Sequence, residues 1–483
     1  MMEKVFRLNE RHSTVRAEII GGLTTFFAMA YIVFVNPDQV AAGGASGWLA
    51  ALGADGAALG KIWNATYIAS LLVAVIGTLI MAFYANMPFA QACGMGLNAF
   101  FCTMFVSGAH FAGMDVIDGY QAGLVIILLE GFLFLFLSLT GLRQAIAVNM
   151  PDCLKKAMPA GIGLFIAFIG MQNVGIIQTN PYTLVQFVDI HGALFGEEGG
   201  GWLSIAPAVV ALLGLVIIAI LSKRGVRGSV ILGILITTVL YYLLTWQLPT
   251  FDINAVGQSF RDFGEIGVTG IFKAASWKNA FSGANIGGVI NAVILIISFC
   301  LIDMFDTLGT LYGAAAQASL LDENGDPINI GRCMMADSVA TCAGALFGTS
   351  TCTTFVESAS GVGAGARTGL SSVVAAVCFA LCLFLSPVAG IIPSAATAPA
   401  LIYVGVLMLG NIKKTDLDDP RSAVPAFLTL AAMPLTYSIS NGIGIGAIAY
   451  VLITLFTGHY TKKDIIVTVI ALLFVFKFIA VTI

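Results

Sequence analysis

The chain has 483 residues, 58% of them hydrophobic and only 10% charged, with a formal net charge of −4. Soluble domains carry about a quarter charged residues, so a soluble domain is excluded; long continuous apolar runs exclude a β-barrel, whose strands alternate. No basic run points to nucleic acid, and an all-α polytopic membrane protein is the class that remains.

The N-terminal segment MMEKVFRLNERHSTVRAE has no apolar core, so no cleaved signal peptide is expected. A helix needs about 20 apolar residues to cross a bilayer. In chain order the expected spans are 17–36, 65–85, 89–106, 121–140, 157–176, 203–221, 229–246, 286–316, 334–348, 353–363, 369–387, 396–411, 423–439 and 441–457. These are fourteen, and the third and tenth are poor continuous helices. A further apolar stretch, 465–482, either spans or lies on the bundle.

With a cytoplasmic N-terminus, seventeen Lys and Arg fall on the inside and four on the outside. The inside set includes Arg143, Arg227, Arg332 and Arg367; the outside set is Lys61, Arg261, Lys273 and Lys278. That asymmetry supports fourteen spans in this orientation.

The two halves resemble each other. SVILGILITTVLYYLL (229–244) is similar to NGIGIGAIAYVLITLF (441–456), and MPAGIGLFIAFIGMQN (158–173) to APALIYVGVLMLGN (398–411). Pro-Ala recurs at 207–208 and 425–426. Seven spans per half is an odd number, so the second copy must be inverted in the membrane, and inverted repeats with interrupted helices are a transporter signature.

Ionisable groups at membrane depth are costly and usually functional. Glu130 lies in span four, Asp303 and Asp306 in span eight, Glu357 in span ten, and Asp337 near the cytoplasmic start of span nine, with no basic residue beside them. An anion site would need a cation, so these carboxylates suit a cation, a proton or a hydrogen-bonding neutral ligand.

Asp303 and Asp306 stand at i and i+3 on one helix face. Two close carboxylates in low dielectric cannot both ionise cheaply, so the pair is expected to hold a proton. Asp306 has a second reading, a hydrogen bond to the backbone at a Thr307–Gly309 bend.

The stretch TSTCTTFVESASGVGAGARTG (349–369) sets a Thr-rich run before Glu357 and a Gly-rich run after it. Hydroxyls satisfy backbone that leaves a helix, and glycines permit close approach. Thr354, Phe355 and Ser358 flank the carboxylate as candidate binding neighbours. The counterpart QACGMGLNAFF (91–101) is also Gly-broken and is polar at Asn98. Phe100, Phe101 and Phe355 offer flat apolar walls. A packing role for the glycines is the competing reading.

Other chemistries find little support. Nine cysteines, with no CxxC, sit mostly in apolar runs and read as reduced small hydrophobes. The four histidines fall in tails or polar loops, so no metal site is expected. DENGD at 322–326 fails the EF-hand pattern, with Pro327 in place of the glycine. No HExxH or Ser–His–Asp arrangement suggests an enzyme.

The motifs GGLTTFFAMAYIVFVNP (21–37), GMGLNAFF (94–101), DMFDTLGTL (303–311), ADSVATCAGALFGTSTCTTFVESASGVGAGARTGL (336–370) and MPLTYSISNGI (433–443) resemble the adenine–guanine–hypoxanthine permease (AzgA-like) branch of the nucleobase–ascorbate transporter family. The likeness covers nearly the whole chain. One departure is Cys93, where the family usually has proline, which puts the break in span three in doubt.

The resemblance implies two inverted seven-helix repeats with short antiparallel strands in spans three and ten. It implies a core domain from 1–140 (spans one to four) and 285–390 (eight to eleven). It implies a gate domain from 141–250 (five to seven) and 391–457 (twelve to fourteen), an extracellular loop at 251–284, and a C-terminal tail at 458–483. It implies proton-coupled import of a purine nucleobase across a bacterial inner membrane, with no cofactor beyond the proton gradient. A homodimer is compatible with it. Matched by position, Asp303 and Glu357 are the essential carboxylates, and Asn98 and Asp306 are supporting polar residues. An anion exchanger on the same plan and a uracil- or xanthine-type permease are the alternatives.

Overall fold

The computed structural model describes residues 2–141, 149–180, 182–196, 200–226, 228–249, 254–281, 286–318, 320 and 327–480. Arg143, Arg227 and the acidic run at 322–326 lie outside these residues.

The principal helices of the first half are α1 (Val15–Met29), α2 (Ile32–Val40), α3 (Gly56–Ile80), α4 (Met95–Phe101), α5 (Val116–Thr140), α6 (Asp152–Asn173), α7 (Trp202–Lys223) and α8 (Ser229–Thr245). A short outer helix, α9 (Ala255–Asp262), precedes α10 (Ile286–Ala318), α11 (Ile330–Phe347), α12 (Ser358–Gly363), α13 (Gly369–Cys382), α14 (Ser394–Leu409), α15 (Pro420–Leu435), α16 (Ile439–Phe456) and α17 (Ile465–Ala480). Strand β1 (Gln91–Cys93) precedes α4; β2 (Ile177–Asn180) and β3 (Leu184–Phe187) follow α6; β4 (Cys352–Thr354) precedes α12. Seven helical stretches among the described residues are long and apolar enough to cross a membrane. The protein is a multi-pass, mostly helical membrane protein.

Helix starts follow from capping. Thr14, Asp55, Asp115 and Thr368 each accept a backbone N–H from the first turn of α1, α3, α5 and α13, satisfying donors that a helix leaves orphaned. Between α1 and α2 the first span breaks at Ala30–Tyr31. Pro37 inside α2 has no N–H to return to Val33, which loosens the ladder there.

The helices pack as two groups. Helices α1, α3, α5, α11 and α13 contact one another, and α10 and α12 join them. Helices α6, α7, α8, α14, α15 and α16 form the other group. In the second, α6 and α14 touch backbone to backbone. A Cβ at Gly405 would lie 2.3 Å from the Gly163 carbonyl oxygen, and one at Gly163 would lie 2.8 Å from that of Gly405. These glycines come from the two similar segments noted above, so the repeat meets itself at a small-residue seam.

Two buried carboxylates tie helix ends together. Glu18 at the start of α1 accepts N–H bonds from Arg367, Thr368 and Ser371 at the start of α13, the first at 2.9 Å. Asp38 at the end of α2 accepts from Trp63 Nε1 at 2.7 Å and from Thr397 Oγ1 of α14 at 2.9 Å. The starts of α1 and α13 therefore lie together at one end of the bundle, and the end of α2 lies beside the starts of α3 and α14.

Three features went unforeseen. Strands β2 and β3 form a hairpin after α6. The described part of 251–284 folds into short helices on α3, with Asn64 Nδ2 donating to Asp262 at 2.7 Å. A basic group does sit among the helices: Lys477 on α17 is 7% exposed and donates to Ser440 at 3.0 Å. Helix α17 packs on α16 and α10.

Candidate functional site

Strands β1 and β4 pair antiparallel, with Gln91 opposite Thr354, Ala92 opposite Thr353 and Cys93 opposite Cys352. All six residues are buried. The pairing continues at both ends, where Phe355 N–H donates to Ala90 O at 3.1 Å and Gly94 N–H to Thr351 O at 3.2 Å.

Strands this short are not stable alone. Their outer edges are closed by two threonines in matching positions. Thr78 on α3 accepts the Gln91 N–H at 2.9 Å and donates to the Gln91 carbonyl at 3.2 Å. Thr341 on α11 does the same for Cys352, at 3.2 and 3.1 Å. Each strand thus has one hydroxyl from the helix before it serving both backbone groups of its first residue, an arrangement the two repeats share.

Cys93, in place of the family's proline, does not abolish the break. The strand pairing and Gly94 make it instead. A Cβ at Gly94 would come within 2.9 Å of Thr353 Cγ2.

The helix after each strand carries a predicted site residue. On α4, Asn98 is fully buried; its Nδ2 donates to Asn36 at 3.0 Å and its Oδ1 accepts from Ser350. At the start of α12, Glu357 is half-buried, and its Oε1 accepts from the Tyr31 hydroxyl at 2.6 Å. Its Oε2 is buried with no hydrogen-bond partner among the described residues. The residues flanking Glu357 hold the break: Ser358 Oγ accepts the Ala90 N–H at 3.0 Å, Thr354 Oγ1 takes the Gln91 side-chain amide at 3.4 Å, and Phe355 joins through its backbone.

Helix α10 brings its carboxylates to the back of the strands. Asp303 is fully buried, and its Oδ2 lies 3.3 Å from the Thr341 hydroxyl, whose one proton it shares with the Cys352 carbonyl. Asp306 faces the span-three break, with Oδ2 3.7 Å from where a Gly94 Cβ would stand, and lies within electrostatic reach of Glu357 and Asp337. The Thr307–Gly309 bend does not form; α10 runs unbroken through it. Thr307 instead donates to Asp337 and shares a hydrogen bond with Thr353, both at 2.7 Å. Asp337, expected near the cytoplasmic surface, is fully buried against Gln91 Nε2 at 3.3 Å.

Around the strand pair, Tyr31, Glu357 and Asp306 come together, while Asp303 and Asp337 are tied to the strands through Thr341 and Thr307. Tyr31, Gln91, Asn36 and Ser350 were missed by sequence reasoning. The signal for Gln91 and Asn36 was their polarity inside apolar spans; Tyr31 offered none.

The profile described as the permease family matches residues 16–445. The chain belongs to the permease family. This permease is 35% identical over 482 residues to the adenine permease AdeP of Escherichia coli, covering 99% of this chain and 96% of that protein. It is 39% identical over 450 residues to the guanine/hypoxanthine permease PbuG of Bacillus subtilis, covering 93% of each. Among solved structures, the transmembrane domain of the cyanobacterial bicarbonate transporter BicA superposes with a TM-score of 0.59 at 17% identity, over 88% of this permease and 96% of that chain. That likeness carries the fold alone. Together these make the protein a transporter and not an enzyme.

Proposed function

We propose that this permease imports purine nucleobases with protons across a bacterial inner membrane, its N-terminus in the cytoplasm and fourteen spans forming a core and a gate. The observation that carries the reading is Glu357, held at the meeting of two broken spans with one oxygen fixed by Tyr31 and the other without a donor among the described residues. Guanine and hypoxanthine present an N1–H, and guanine adds an amino group; a carboxylate oxygen accepts these. Adenine pairs an amino donor with an N1 acceptor, which a protonated carboxyl matches. The relatives named for adenine and for guanine/hypoxanthine support this class of substrate.

The coupling proton resides on the Asp303, Asp306 and Glu357 cluster. Both broken spans belong to the helix group of α1, α3, α5, α11 and α13. That group moves as the core against the gate, which contains α6 and α14, and so exposes the base to each side in turn.

Uptake of labelled hypoxanthine, guanine and adenine in cells lacking their own purine permeases tests this. Uptake should fall to background in Glu357→Gln and collapse when the proton gradient is dissipated. Unchanged uptake in a normally expressed Glu357→Gln variant overturns the assigned role. Stabilisation of purified protein by uracil alone, in a thermal-shift panel, overturns the substrate class.

A further inference from the structure

A small cavity lies one helical turn beyond Asn98, between the two helix groups. Gln39 at the end of α2, Trp48 and Thr103 line one side; Ile169 and Asn173 of α6, with Tyr437 before α16, line the other. At about 10 Å³ it has room for about one water molecule.

Gln39 is 4% exposed, yet neither its Oε1 nor its Nε2 has a hydrogen-bond partner among the described residues. A buried amide left unpaired is costly, and such groups call for a reason. Its neighbour Asp38 is by contrast fully engaged, by Trp63 in its own helix group and by Thr397 in the other. That bridge crosses the same seam that the cavity occupies. When the two groups separate, the bridge opens and the cavity widens beside the Gln39 amide.

We propose that the cavity is the closed form of an outer subsite, where an entering purine base is first held by Gln39 between Trp48 and Tyr437. The proposal rests on the purine reading above. A glutamine amide presents a donor beside an acceptor. Its carbonyl takes the N1–H of hypoxanthine or guanine while its NH₂ reaches O6. Turned over, its NH₂ reaches adenine N1 while the carbonyl takes the amino group. One neutral side chain therefore reads both classes of base before the carboxylate site selects. The indole and phenol rings supply stacking faces for a flat heterocycle.

The test compares Gln39→Leu and Gln39→Glu with the parent in whole-cell uptake, with surface expression measured, alongside thermal shift of the purified proteins by the same bases. The subsite predicts a KM for external hypoxanthine raised about tenfold in Gln39→Leu, with Vmax within twofold and the base-induced thermal shift retained. Gln39→Glu, ionised and lacking the NH₂ donor, should raise the adenine-to-guanine KM ratio at least fivefold, because two carboxylate oxygens accept the N1–H and amino group of guanine together, which a packing role would not do. Unchanged KM values in both variants overturn the subsite and leave Gln39 to a bound water. Loss of folded protein in Gln39→Leu together with an unaltered KM ratio in Gln39→Glu also overturns it. Absence of any purine uptake or shift in the parent would instead defeat the proposed function, whatever Gln39 does.

Discussion

The hydroxyl of Tyr31 donates to Oε1 of Glu357 at 2.6 Å, joining the break in span one to the break in span ten across 326 residues of chain. Tyr31 is fully buried. Its bond uses one carboxylate oxygen and leaves the other without a hydrogen-bond partner among the described residues, so Tyr31 holds the Glu357 carboxylate in place.

Tyr31→Phe should weaken base binding about tenfold, because a hydrogen bond to a charged group is worth about 1.5–3 kcal/mol. Vmax should fall less than affinity, and the fold should persist, since the ring remains packed. Isothermal titration with hypoxanthine, beside uptake kinetics, checks this; identical affinities would remove Tyr31 from the site.

Thr78 and Thr341 serve equivalent strands, so Thr78→Val and Thr341→Val should have similar effects. Each near-isosteric change leaves a buried N–H and a buried carbonyl unpaired, at about 1–3 kcal/mol of stability for each group. Both variants should lose several degrees in detergent melting and most of their uptake. A large loss for one and none for the other would refute the matched clamp.

Glu18 accepts three backbone N–H groups at the start of α13 and the Ser13 hydroxyl at 2.6 Å. Glu18→Ala strips the cap and should cost about 2–4 kcal/mol, read as a lower melting temperature. Uptake per folded molecule should stay near the parent level, because Glu18 lies far along α1 from the strand pair. Failure of uptake in well-folded protein would show that Glu18 does more than cap.

Asp38 bridges the two helix groups through Thr397. Thr397→Val removes one hydroxyl bond to the carboxylate and should shift the balance toward the outward-open form by about 1.5 kcal/mol, roughly tenfold. A cysteine placed at Asn173 would then be labelled by a membrane-impermeant maleimide about tenfold faster. Equal labelling rates in the two backgrounds would argue that the bridge does not restrain the seam.

Much of the site was visible as expense. Glu357, Asp303, Asp306 and Asn98 stand out in apolar segments because burying them costs free energy that only a function or a partner repays. The broken spans were visible too, since hydroxyl and glycine runs interrupt the hydropathy where the backbone leaves the helix. Tyr31 was not, because a tyrosine in an apolar span reads as packing until its hydroxyl finds a partner. Thr78 and Thr341 were lost among many similar residues. Asp38 and Gln39 lie just past the expected end of span one and drew no reading, and the partners of Asp337 were not legible, because burial in a bundle depends on what neighbouring helices cover.

Composition and pattern by themselves determined the membrane class, the order of apolar segments, the two places where the helix fails and the carboxylates within reach of them. These follow from local quantities, the transfer of side chains and backbone from water into lipid. Only the tertiary structure decided that β1 and β4 close on each other, that one Glu357 oxygen belongs to Tyr31, and that the other, like the Gln39 amide, is buried with no hydrogen-bond partner among the described residues. Hydrogen bonds are short and directional, so their partners are chosen by where segments hundreds of residues apart come to rest, and no local cost of burial encodes that choice.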